Sequence, residues 1–71
     1  MASANADPLL RMVNQIARNF AYLPEEAAVE RVAAHLRRFW APAMITRLRE
    51  LGACAPAGFE PVALRAIGSL G

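Results

Sequence analysis

Apolar residues recur along most of this chain at the three- and four-residue spacing of one helical face. Leu9, Met12, Val13, Ile16 and Phe20 form the first such set, with Arg11, Asn14, Gln15 and Arg18 on the other side. Asp7-Pro8 stands just before it, an N-cap residue followed by proline at the first helical position. This predicts a helix over about residues 8–21. Val29, Val32, Ala33, Leu36, Phe39 and Trp40 form a second set. Pro24 suits its first turn, and Glu25 and Glu26 meet the positive end of the helix dipole there. That helix must stop or kink near Trp40, because Pro42 biases Ala41 away from helical dihedrals. Met44, Ile45, Leu48 and Leu51 make a third face opened by Pro42, and Gly52 reads as its stop signal. "GACAPAGFEP" follows as a linker. Glu60-Pro61 restarts a short helix with Phe59, Ala63, Ala66, Ile67 and Leu70 on one side, and Gly68 and Gly71 weaken its end.

No strand alternation, internal repeat or glycine-rich phosphate loop interrupts this order. The fold class predicted is all-α, a small three- to four-helix bundle. The 71 residues form a single helical domain, with residues 1–7 a flexible start and residues 52–60 a linker to the C-terminal helix. A chain this short buries only about 60% of the surface that it exposes when unfolded. Its core supplies roughly 3–5 kcal/mol unless a staple is added. One cysteine excludes an internal disulfide, and one histidine argues against a His/Cys metal site. Association with another chain is the staple that remains. Hydrophobic residues make up 56% of the chain, sixteen of them alanine, which favours close helix packing and argues against disorder.

All eight basic residues are arginine, and the net charge is +2. Five of them, with His35, fall between Arg31 and Arg49, a stretch without Asp or Glu. Phosphate contacts would use such a block. A net charge of +2 is low for a dedicated nucleic-acid binder, and Arg37 flanks the apolar stripe while Arg38 points away from it. The block therefore reads as a solvated face or as a surface for an acidic protein. A small nucleic-acid-binding protein is the alternative. No apolar run reaches the 18 residues that would cross a bilayer. The N-terminus lacks the charged start and apolar core of a signal peptide. A cytoplasmic protein without a membrane partner is expected.

Catalytic chemistry finds little support. His35 has no nucleophile or orienting carboxylate near it in sequence, so a hydrogen bond, internal or across an interface, is the expected use. Cys54 stands in the linker with nothing nearby to lower its pKa. Of the adjacent Phe39 and Trp40, one is expected in the core and the other shared with a neighbour. Leu10, Val62 and Leu64 lie off the main stripes and are candidates for partner contact.

The stretch "LLRMVNQIARNFAYLPEEAAVERVAAHLRRFWAPAM" resembles the small delta subunit of NAD-dependent, molybdenum- or tungsten-containing formate dehydrogenases. The shared positions are Met12, Asn14, Gln15, Ile16, Phe20, His35, Leu36, Arg37, Arg38, Phe39, Trp40, Pro42 and Met44. The resemblance is strongest over residues 9–51. Val13 replaces the usual Ala, and Ala41 and Ala43 stand where the family tends to have an acidic residue and Arg. The last two remove a charge pair just after the Phe-Trp. The resemblance implies a non-catalytic accessory chain with no cofactor of its own. Its partner subunits would carry molybdopterin with molybdenum or tungsten, iron–sulfur clusters and FMN. It would dock on the large catalytic subunit, with the diaphorase subunits as further partners, and aid assembly or stability. The residues expected to touch the partner are Asn14, Gln15, His35, Arg37, Arg38, Trp40 and Met44.

Overall fold

A computed structural model describes residues 7–70 and contains four helices and one 3-10 turn. They are α1 (Pro8–Asn19), α2 (Glu25–Phe39), α3 (Pro42–Cys54), the 3-10 turn Pro56–Gly58 and α4 (Pro61–Ser69). No strand occurs among the described residues. Residues 1–6 of the flexible start expected over residues 1–7, and Gly71, lie outside them. The Cα radius of gyration is 11.1 Å, which equals the roughly 11 Å of a compact domain this size.

Proline and acidic residues start the helices where the sequence places them. Asp7 Oδ1 accepts the Leu9 N–H at 2.9 Å, so Asp7 is a fixed cap and not part of a loose start. Its other oxygen lies 3.4 Å from Arg47 Nη2, which ties α3 to the start of α1. Glu25 and Glu26 in the first turn of α2 both bond Arg65 of α4. These hydrogen bonds, to Glu26 first and Glu25 second, raise the Arg65 pKa above the ordinary arginine value. α2 closes with the Trp40 N–H on Leu36 O at 3.0 Å, and Trp40 and Ala41 then run extended into Pro42.

Two sequence expectations are corrected. α3 does not stop at Gly52 but continues to Cys54, so the connection to α4 is shorter than residues 52–60. Ala55 leaves the helix, at φ −143° and ψ 59°, because Pro56 follows it. Gly52 serves packing instead: a Cβ there would stand 3.4 Å from Leu64 Cδ1 across the α3–α4 contact.

The second correction concerns the buried face of α1. Leu10, Val13, Asn14 and Ala17 are buried, while Met12 is 46% exposed and Leu9, Ile16 and Phe20 pack only at the margin. The face is turned by about one residue step, ~100° of helix, from the apolar stripe. Asn14 causes the shift, because a polar side chain whose hydrogen bonds are met inside can occupy the core side. Leu10, read as a candidate for partner contact, is 1% exposed. Val62 and Leu64 are half-buried against the core.

The centre of the bundle is Leu10, Val13, Val32, Leu36 and Leu48. α4 contributes Ala63, Ala66 and Ile67 and packs most extensively on α2. Its alanines let the two backbones approach closely. Among the described residues no buried side-chain polar atom lacks a hydrogen-bond partner. Among the described residues, the large hydrophobic side chains left exposed are Met12, Tyr22 and Phe39.

Candidate docking face

The end of α2 separates its two aromatic residues. At about 100° per residue, Trp40 falls close to the line of Val29, Val32, Ala33 and Leu36, whereas Phe39 falls ~80° to the side of it. Trp40 is accordingly 8% exposed within the core, and Phe39 is 66% exposed. Trp40, expected at the partner surface, fills the bundle, and Phe39 is the ring left outside. Met44 is half-buried against the same core.

Phe39 is held by its neighbours. The His35 ring, one turn earlier, lies with its centroid 4.9 Å from that of Phe39 at a tilt of 46°. The Arg38 guanidinium carbon stands 5.5 Å from the Phe39 centroid, within range of a cation–π contact. Arg31 precedes His35 by one turn on the same side. His35 therefore meets an aromatic ring where a hydrogen bond was expected.

The basic block is less uniform than its sequence. Arg47 pairs with Asp7 and Glu50, and Arg37 reaches Ser69 O at 3.5 Å. Arg31, Arg38 and Arg49 make no ion pair among the described residues. Arg38 stands against the exposed aromatic, and Arg31 lies two turns earlier on α2. What results is an apolar knob with a cationic rim, a form suited to an apolar socket edged by carboxylates. Central aromatic and arginine residues dominate binding energy at such contacts.

The two helix 1 candidates lie elsewhere. Asn14 is 8% exposed, and both ends of its amide are used within the chain. Its Nδ2 donates to Gly58 O at 2.9 Å and its Oδ1 accepts the Glu60 N–H at 2.8 Å. It thereby fastens α1 to the connection between α3 and α4. Gln15 is exposed and donates to Asn19 Oδ1 at 3.2 Å. The structure thus brings His35 and Arg38 together around Phe39. Arg37 points to the end of α4, Trp40 and Met44 turn inward, and Asn14 and Gln15 stand on another helix. Phe39 is absent from the expected contact residues. Its angular offset from the Trp40 line was the signal available.

An iron–sulfur cluster takes thiolate ligands. The chain has one cysteine, the exposed Cys54, and no group of three His, Cys, Asp or Glu gathers among the described residues. These residues do not fit such a cluster. No helix among those described is long and apolar enough to cross a membrane.

The family model for the NADH-dependent formate dehydrogenase delta subunit FdsD matches residues 8–67. No curated protein and no solved structure matches the chain significantly.

Proposed function

The chain belongs to the delta-subunit family of NADH-dependent formate dehydrogenases, and from that premise we propose that it is a non-catalytic accessory subunit docking on the large catalytic subunit. Membership in the family makes it a component of the complex, in contact with other subunits. The finer assignment is to the exposed end of α2. Phe39 is the anchor, Arg38 and His35 fix its ring, and Arg31 extends the cationic rim. Trp40 and Met44 act from beneath by setting the end of α2 and the start of α3. The observation that carries this reading is a phenylalanine 66% exposed with the His35 ring and the Arg38 guanidinium, which has no ion pair among the described residues, held against it.

In this reading the molybdopterin, iron–sulfur and flavin groups belong to the partner subunits of a cytoplasmic complex. The accessory chain acts by mass action: binding only the folded partner stabilises that state in proportion to the logarithm of free chain over Kd. Ala41 and Ala43, which lack the charges the family tends to carry there, leave Phe39 and the arginines to supply the contact.

A photo-crosslinking amino acid placed at position 39 of the full chain, in cells making the whole complex, tests the assignment. The expected product is a covalent adduct with the large catalytic subunit. Adducts with other subunits alone, or none while the chain still co-purifies, would overturn the choice of face and partner.

A further inference from the structure

A second surface feature lies away from the α2 face. The side of α1 carrying Arg11, Gln15 and Arg18 borders a cleft of about 440 Å³, with Gly58 and Glu60 on the opposite wall and Asn14 between the walls. Arg11 and Arg18 pair with no acidic group among the described residues. They are seven residues apart, so they project from the same face with a rise of about 10 Å between them. That separation exceeds what one carboxylate or phosphate spans.

The cleft is held at a set width. The Asn14 amide bonds Gly58 O and Glu60 N at once, so α1 and the α3–α4 connection cannot separate without losing both bonds. A groove fixed before binding spares the ligand the cost of ordering it. Gln15 donates to Asn19, which leaves its side-chain oxygen free to accept. The Glu60 carboxylate, on the far wall, makes no ion pair among the described residues. The cleft therefore offers two cationic posts with the Gln15 acceptor on one wall and the anionic Glu60 acceptor on the other.

We propose that this cleft is a second docking site, which takes an extended acidic segment of a partner protein. Two carboxylates of the segment engage Arg11 and Arg18, and its main-chain N–H groups donate to Gln15 and Glu60. In an extended chain, same-edge side chains recur every ~6.6 Å. Acidic residues two or four positions apart thus bracket the spacing of the two arginines. A small anion could occupy only one post at a time and would gain nothing from the second.

The test is an NMR titration of the full-length chain with an end-capped peptide of alternating Glu and Ala. The expected result is saturable shifts of the Arg11, Gln15, Arg18, Gly58 and Glu60 amides, weakening with added salt. Arg11→Glu with Arg18→Glu should weaken the peptide about tenfold or more, while Arg38→Glu leaves its affinity unchanged. The milder Arg11→Gln with Arg18→Gln pair serves if the charge reversal disturbs folding, which the same spectra reveal. Shifts centred on Arg31 to Phe39, shifts that do not saturate, or no shifts would overturn the site. Absence of shifts at this cleft leaves the crosslink from position 39 unaffected, so the two docking surfaces stand or fall separately.

Discussion

Phe39 and Trp40 are neighbours in the chain and opposites in the structure. Trp40 is shared by the core of all four helices' cluster, whereas Phe39 lies outside with His35 and Arg38 against it. Both are large aromatic residues at the end of one helix, so composition does not separate them. What separates them is about 100° of rotation about the α2 axis. One residue holds the bundle together, and the adjacent one is available to hold the bundle to something else. A substitution at one should therefore change folding, and at the other binding.

The largest effect is expected at Trp40. Truncating a buried Trp costs about 3–5 kcal/mol, comparable to the roughly 3–5 kcal/mol that a core of this size supplies. Trp40→Ala should leave the isolated chain largely unfolded by circular dichroism. Helical content and a cooperative melt like those of the unaltered chain would show that Trp40 does not close the core.

A smaller loss is expected at Asn14. Asn14→Ala leaves the Glu60 N–H and Gly58 O without their partner. Each of these part-buried hydrogen bonds contributes about 0.5–1.5 kcal/mol net, and each kcal/mol lowers the Tm of a small domain by roughly 4–8 °C. A thermal melt should show this fall with the fold retained. An unchanged Tm would mean that water replaces the amide and that α1 is not fastened through it.

The smallest effect on folding is expected at Phe39. Its ring is mostly in water, so Phe39→Ala should change stability by no more than about 0.5 kcal/mol. A large loss of stability there would erase the distinction between the two aromatics.

Much of the architecture was legible in the sequence. Asp7-Pro8, Pro24 with its two glutamates, Pro42 and Pro61 each mark a helix start through dihedral restriction and capping, which are local effects. The apolar faces of α2, apart from Phe39, and of α4 followed from periodicity. The face of α1 did not, because Asn14 counts as polar in any pattern, yet two partners 44 and 46 residues away satisfy it inside. The end of α3 was misplaced because Gly52 looks like a stop signal. No backbone need for glycine exists there, and Pro56 ends the helix instead.

The candidate site was only half legible. The sequence points to His35 and Arg38, and its motif favours Trp40 as the aromatic beside them, whereas the structure puts Phe39 there. Helical spacing separates Arg37 from Arg38, but it does not reveal that Asp7 and Glu50 draw Arg47 aside or that the end of α4 draws Arg37. Those pairings are set by tertiary contact and leave no mark in local spacing.

The most direct test of the central claim is the stoichiometry of the full-length chain in the purified formate dehydrogenase complex when Phe39→Ala and Arg38→Glu are introduced together. Circular dichroism of the same variant chain would confirm that it is folded. The account predicts a folded chain that no longer co-purifies with the complex. A folded variant that remains at its normal stoichiometry would contradict it.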